Sequence, residues 1–127
     1  MVSKDAIVLF AHGARDLRWA RPLERLQAEL ARIRPDALVR IAFLELQGPD
    51  LGQTLTALAA AGARRIDIAP IFWSQGGHIA SELPALVNAF AASQPAVEVR
   101  VLPVLAELPG MNEFVARAIL AQADAAR

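Results

Sequence analysis

An uninterrupted apolar run, AIVLFA at positions 6–11, decides the fold. The run is too short for a typical helix, and a polar turn that starts at His12-Gly13 follows it. A continuous apolar run of this length is typical of a strand that is covered on both faces, as in a parallel sheet between helices. We therefore expect the rest of the chain to supply further buried strands and the helices that cover them.

The sequence after this run alternates amphipathic segments with further apolar runs. Strands are predicted at Leu38–Leu46, Arg65–Trp73 and Val97–Leu105. Apolar residues at helical spacing predict four helices, marked by Leu23, Leu26, Leu30 and Ile33; by Leu51, Leu55 and Leu58; by Ile79, Leu83, Leu86, Val87 and Phe90; and by Met111, Phe114, Val115 and Ala118. Pro35 should close the first helix and Gly62 should end the second. Pro84 should be tolerated because it lies in about the first turn of the third.

Four strand–helix units predict an α/β fold with a small four-stranded, parallel, doubly wound sheet. The length of 127 residues fits one domain, so residues 1–127 are expected to form a single unit. Helices should cover both faces of the sheet. A sheet of four strands leaves its edges open, for which a homodimer is a natural solution.

Composition excludes several classes of protein. Thirteen basic and thirteen acidic side chains cancel, whereas a nucleic-acid binder usually carries a positive excess. The chain has no cysteine, so it can form neither disulfides nor thiolate metal sites. We expect no signal peptide and no membrane span, which makes a cytoplasmic location the expectation.

Both histidines of the chain follow predicted strands. His12 comes directly after the first strand, His78 follows the third, and Glu45 ends the second. Ligands of open parallel sheets bind beyond the carboxyl ends of the strands, and a flavodoxin-like order 2-1-3-4 would place His12 and His78 across one crevice. Two imidazoles and a carboxylate suit a borderline divalent metal such as Zn, Co, Ni or Fe. Ligands on separate loops would hold such a metal loosely, as a metal-delivery enzyme requires.

Other residues near these strand ends could bind an anion. Gly76 and Gly77 precede the third helix, although neither GxGxxG nor a Walker sequence is present. Arg15 belongs to a group of arginines that could meet an anionic ligand or simply form a solvated helix face. Trp19 is interpreted as structural or interfacial.

Three motifs together point to a known family. VLFAHGARD (Val8–Asp16), AFLELQGPDL (Ala42–Leu51) and PIFWSQGGHIASELP (Pro70–Pro84) occur in this order. The chain, from about Ile7 to Val104, thereby resembles the short, single-domain sirohydrochlorin cobaltochelatases of the chelatase superfamily, which also contains ferrochelatase.

The resemblance implies a chelatase-like half domain, two copies of which pair to resemble one two-domain chelatase. It implies that His12 and His78 are the metal-binding and catalytic pair, that Glu45 is the acidic residue of the second motif, and that Glu82 replaces an acidic residue that is usually aspartate. The implied reaction inserts a divalent metal, Co²⁺ first and Ni²⁺ or Fe²⁺ as alternatives, into sirohydrochlorin or a related tetrapyrrole. The metal is the substrate, and no organic cofactor is expected.

The chain also departs from the family pattern. Ala14 stands where the family has a serine, Ile79-Ala80-Ser81 stands where the family is often basic, and LAELPG at positions 105–110 lacks a further histidine. These departures leave open which tetrapyrrole and which metal the protein uses. They also leave open whether the product serves the synthesis of cobalamin, siroheme or a nickel cofactor.

The residues suggest a division of roles. His12 and His78 would hold the metal and accept the pyrrole protons, and Glu45 would balance charge and carry protons away. Glu82 could orient His78 from the next helical turn. The carboxylates of the substrate would bind Arg15, Arg18 and the amides of Gly76 and Gly77.

Two other functions stay open at the level of sequence. The first is a tetrapyrrole- or metal-binding protein without turnover. The second is a small phosphate-ester enzyme with His12 as the nucleophile, although Ala11 breaks the arginine-histidine-glycine order of such enzymes.

Overall fold

A computed structural model describes residues 4–74 and 76–127, and it describes Gly77 and His78 by their backbone alone. The strands are β1 (Lys4–Ala11), β2 (Leu38–Phe43), β3 (Ala63–Pro70) and β4 (Glu98–Val101). The helices are α1 (Arg21–Ile33), α2 (Leu51–Ala60), α3 (Gly77–Ser93) and α4 (Met111–Ala125). Short 3-10 turns lie at Leu17–Ala20 and Leu105–Glu107.

The described strands form one parallel sheet in the order β2-β1-β3-β4. This confirms the predicted α/β fold with a four-stranded, doubly wound sheet. In the register of the sheet, Leu9 of β1 lies between Ile41 of β2 and Ala69 of β3. Because β2, β1 and β3 are parallel neighbours, the loops that follow them all leave the same edge of the sheet.

The core lies on two faces of unequal size. The larger cluster packs α2 and α3 against one face of the sheet, through side chains such as Leu55, Ile68 and Leu83. On the opposite face, Leu23 of α1 packs against Ala11 and Phe43. The alternation of side chains along each strand separates these two clusters.

Three strands end earlier than the sequence predicted. β2 stops at Phe43 because the backbone soon turns, and Leu46 adopts a left-handed φ of 69°. β3 stops at Pro70, two residues before the buried side chain of Phe72. β4 stops at Val101 because Pro103 has no amide hydrogen with which to continue the ladder.

Pro84 corrects a second expectation, since it lies inside α3 and not in its first turn. The helix begins at Gly77, earlier than the position of the proline suggested. A proline here removes the hydrogen bond to the carbonyl of Ala80. Both residues are exposed, so water can hydrate that carbonyl.

The expectation that helices cover both faces of the sheet is only partly met. No residue of α4, the whole of which the structure describes, is buried, and this helix packs mainly on the turn at Leu105–Glu107. The face of β3 and β4 opposite α2 and α3 carries the exposed ion pairs Arg65–Glu98 and Arg100–Asp67. None of the helices in the described ranges combines the length and apolar character needed to cross a bilayer.

The two-sided core predicts unequal costs for removing apolar side chains. Leu55→Ala should lower the free energy of unfolding by roughly 2–5 kcal/mol, because Leu55 is fully buried and its loss leaves a cavity. Ile33→Ala is the control, since its side chain is 65% exposed and its loss should change stability by about 0.5 kcal/mol or less. Urea denaturation measures both values, and equal values would contradict the packing described here.

Candidate functional site

The loops that follow β1 and β2 stay paired beyond the ends of the strands. The amide of Leu44 donates to the carbonyl of Ala11 at 2.8 Å, and the amide of Glu45 donates to the carbonyl of His12 at 3.0 Å. The backbones of His12 and Glu45 are therefore fixed side by side, as the sequence predicted for the ends of neighbouring strands.

Gly13 makes this close pairing possible. Its φ is 89°, and a Cβ atom at this position would lie 2.1 Å from the carbonyl oxygen of Glu45. Any side chain would therefore collide with this carbonyl, and the left-handed backbone at this position is itself unfavourable for residues with a Cβ atom. His12 can therefore lie beside the β2 loop only because residue 13 is glycine.

A side chain that sequence reasoning did not single out completes the pairing. The amide of Ala14 donates to Oε1 of Gln47 at 2.7 Å. Gln47 lies within the second motif, but no spacing rule marks a hydrogen bond between residues so far apart in sequence. Gln47 thus holds the end of the loop that carries His12.

The imidazole of His12 lies against the ring of Phe72, with 4.4 Å between ring centroids and 59° between ring planes. Phe72 is buried and meets Phe10 edge-on at 5.7 Å. His12 itself is exposed, and its ring makes no hydrogen bond to the described residues. The ring therefore rests on an apolar support while its nitrogen atoms keep their capacity to bind a metal or a proton.

His12 lines a cleft of about 510 Å³ at this edge of the sheet. The walls are largely apolar and come from the end of β2, the residue after β3, and α1 with the turn before it, namely Phe43, Ile71, Trp19, Pro22, Leu23 and Leu26. Gln47 also lines the cleft. An apolar cleft with a few convergent polar groups is typical of a small-molecule site.

The two arginines that were predicted from the sequence to bind anions, Arg15 and Arg18, differ in whether their charge is already paired. The guanidinium of Arg18 binds the carboxylate of Asp16 at 2.7 Å, which holds the pKa of Asp16 below its ordinary value. Asp16 also accepts a hydrogen bond from the amide of Arg18, so this pair closes the turn before α1. Arg15 is exposed and has no hydrogen bond or ion pair to the described residues, so its charge is available.

The second half of the predicted site lies at the start of α3. Gly76 caps the helix in an extended conformation, and the first helical hydrogen bond runs from Ala80 to its carbonyl at 3.1 Å. The amides before Ala80 therefore have no acceptor within the helix. His78 is the second residue of α3, and its side chain lies outside the described part of the chain. Glu82 follows one helical turn later and is exposed.

The structure therefore places the predicted site residues only in part. It pairs the backbones of His12 and Glu45 and brings Phe72, which precedes α3 in sequence, onto the His12 ring. Within the described residues, no group of three or more histidine, aspartate or glutamate side chains is arranged to hold a metal ion. The predicted pairing of His12 with His78 depends on a side chain outside that set and stays a prediction.

A family comparison identifies the chain. The profile of the family described as CbiX matches residues 6–122 of this chain, which are most of the chain. The chain belongs to the CbiX family.

Two curated relatives of this CbiX family member are named sirohydrochlorin cobaltochelatase. Sirohydrochlorin cobaltochelatase from Methanosarcina barkeri is 26% identical over 88 residues, which are 69% of this chain and 68% of that protein. Sirohydrochlorin cobaltochelatase from Methanococcus aeolicus is 30% identical over 85 residues, which are 66% of this chain and 59% of that protein.

Solved structures show the same fold. A protein from Marinobacter aquaeolei VT8, described as a CbiX protein of cobalamin biosynthesis, matches with a TM-score of 0.80 at 22% identity and covers 94% of this chain and 98% of its own. The sirohydrochlorin chelatase SirB from Bacillus subtilis subspecies spizizenii, in complex with cobalt, matches with a TM-score of 0.63 at 26% identity. That match covers 79% of this chain and 43% of SirB.

The close approach at position 13 predicts a specific intolerance. Gly13→Ala should lower the free energy of unfolding by roughly 2 kcal/mol or more, because the new Cβ meets the carbonyl of Glu45 and the left-handed backbone is strained. Gly52→Ala in α2 is the matched control, since its Cβ would make an ordinary 3.6 Å contact and helical alanine should stabilise by about 0.5–1 kcal/mol. Urea denaturation compares them, and a Gly13→Ala protein as stable as wild type would refute the pairing of the two loops.

Proposed function

We propose that this CbiX family member inserts a divalent metal ion into sirohydrochlorin or a closely related tetrapyrrole. One observation supports this most: His12 is among the residues that line an apolar cleft at the edge where β1 and β3 end, and its exposed imidazole makes no hydrogen bond to the described residues. The names of the curated relatives give the substrate class.

Co²⁺ is the first choice of metal substrate. The curated relatives are named cobaltochelatases, and one SirB structure contains cobalt. Another SirB structure contains Fe³⁺, so iron belongs in the test, together with Ni²⁺. Imidazole nitrogen is a suitable ligand for all three metals.

The reaction requires the metal to lose water and two pyrrole nitrogens to lose protons. In the proposed mechanism His12 binds the metal through a ring nitrogen, and His78 supplies the second imidazole from the first turn of α3. Neutral imidazoles also accept protons near neutral pH, so each histidine could take up one pyrrole proton on the ring nitrogen that it frees when the metal passes to the macrocycle. Glu45, whose backbone pairs with that of His12, would balance the charge of the incoming cation with its carboxylate and carry protons away.

The periphery of the substrate would be held by cationic and dipolar groups. Sirohydrochlorin carries many carboxylates, and the guanidinium of Arg15, which is exposed and pairs with none of the described residues, is suited to bind one of them. The amides at the start of α3, around Gly76 and Gly77, suit another, because a helix N-terminus attracts negative charge. Arg18 is a poorer anchor than the sequence suggested, since Asp16 already neutralises it.

His12→Ala and His78→Ala should each lower the rate of metal insertion by about 100-fold or more, because each removes a proposed ligand and proton acceptor. The assay follows the absorbance of sirohydrochlorin with Co²⁺, Ni²⁺ or Fe²⁺ in turn. Asn88→Ala, which removes an exposed polar side chain farther along α3, is the control and should keep the wild-type rate.

Wild-type rates in either histidine variant would reject the assigned roles. Stoichiometric binding of tetrapyrrole by the wild type without insertion would instead indicate a binding protein. Hydrolysis of phosphate esters without added metal would indicate the phosphate-ester enzyme.

We also propose that two copies of this chain form a homodimer. Helix α4 has no buried residue, and it exposes the large apolar side chains of Phe114, Ile119 and Leu120. Exposed apolar surface of this kind is typical of an interaction site. The match to 43% of SirB supports the pairing, because two copies of this chain would correspond to about one SirB chain.

Phe114→Glu should shift the protein toward the monomer, because a charge would have to be buried in the proposed interface. Ile33→Glu is the matched control, since Ile33 is exposed to a similar extent, 65% against 69%, but lies at the end of α1. Light scattering at several protein concentrations gives the masses. A wild-type protein that is monomeric throughout would contradict the proposal.

A further inference from the structure

Trp19 has an unusual position in the cleft. Its side chain is 73% exposed, which contradicts a structural role in the core, yet it lines the same cleft as His12. A large aromatic ring left in water at the mouth of a cleft forgoes the free energy that burial would provide. Exposed apolar surface beside a cleft is typical of a binding surface.

The backbone that carries Trp19 is held by a local network. The amide of Trp19 donates to the carbonyl of Asp16 at 3.1 Å, and the carboxylate of Asp16 caps the same turn through the amide of Arg18 at 3.0 Å. The ion pair between Asp16 and Arg18 fastens that carboxylate. The indole is thus presented from a fixed turn, which lowers the entropy lost when a ligand binds.

The surroundings of Trp19 specify the chemistry of the ligand. Pro22 and Leu26 continue the apolar wall along α1. Outside this wall, Arg21 and Arg25 alternate with these residues along the helix, and both are exposed without a hydrogen bond or ion pair to the described residues. An apolar wall beside unpaired guanidinium groups suits a flat ring system with an apolar face and acidic groups at its edge.

We propose that Trp19 stacks on the face of the tetrapyrrole and is a determinant of its affinity, while His12 acts at the metal. This inference rests on the proposed function, because it takes the macrocycle to be the occupant of the cleft. Trp19 is assigned to binding of the ring and not to the insertion step.

The test measures binding without metal and turnover separately. Metal-free sirohydrochlorin is titrated against the purified protein by equilibrium dialysis. We expect Trp19→Ala to raise Kd about tenfold, equivalent to about 1.4 kcal/mol, and Trp19→Phe to restore most of the affinity because it retains a flat ring. Leu17→Ala is the matched control, since Leu17 shares the turn and is 72% exposed but does not line the cleft.

Steady-state insertion of Co²⁺ provides the second measurement. Trp19→Ala should raise KM for the tetrapyrrole and leave kcat near the wild-type value, as expected when a contact contributes equally to ground state and transition state. The same proteins are examined by light scattering for oligomeric state.

The outcomes distinguish failure of the proposed function from failure of the role assigned to Trp19. If wild-type protein neither binds nor metallates sirohydrochlorin, the proposed function and this inference both fail. If wild type does both and Trp19→Ala binds as tightly, only the inference fails. A Trp19→Ala protein with unchanged Kd but a changed mass would place Trp19 in the interface between copies and overturn the inference.

Discussion

The hydrogen-bonded pairing that continues beyond the ends of β1 and β2 is the constraint on which the candidate site depends. The carbonyl of Glu45 fills the space that a side chain on residue 13 would need, so the two loops can pair only through glycine. That pairing fixes the backbone of His12, and Gln47 holds the residue after Gly13. From this fixed backbone, the imidazole of His12 packs against the ring of Phe72.

The place of β1 between β2 and β3 gives this local arrangement its chemical meaning. The β2 loop lies on one side of His12, and the segment that leads from β3 to α3 lies on the other. Phe72 belongs to that segment, and its backbone is tied to the turn after β4 by the amide of Leu105 at 3.0 Å. Loops that follow all four described strands therefore support one histidine.

The sequence was sufficient to predict the order of elements, the parallel sheet and the position of His12 directly after β1, whereas Glu45, predicted at the end of the second strand, lies in the loop after β2. It could not predict the early ends of β2 and β4, which depend on a left-handed residue, Leu46, and on the missing amide of Pro103. It also missed Gln47, because the hydrogen bond from Ala14 spans 33 residues and leaves no periodic signal. Periodicity predicted α4 as an amphipathic helix, but it reveals an apolar face without revealing what covers it.

The sequence alone allowed Trp19 to be interpreted only as structural or interfacial. A single exposed tryptophan produces no periodic pattern from which its surroundings could be predicted. Its meaning depends on the cleft, and the cleft exists only because α1 packs beside the end of β2. Under the proposed function, two substrates with opposite demands must reach one imidazole: a hydrated cation and a largely apolar ring. An exposed nitrogen atom serves the first and an apolar wall the second. A site that combines them must leave both an imidazole and an indole unburied, and the fully buried core on the α2 and α3 face of the sheet supplies the stability that these exposed groups do not.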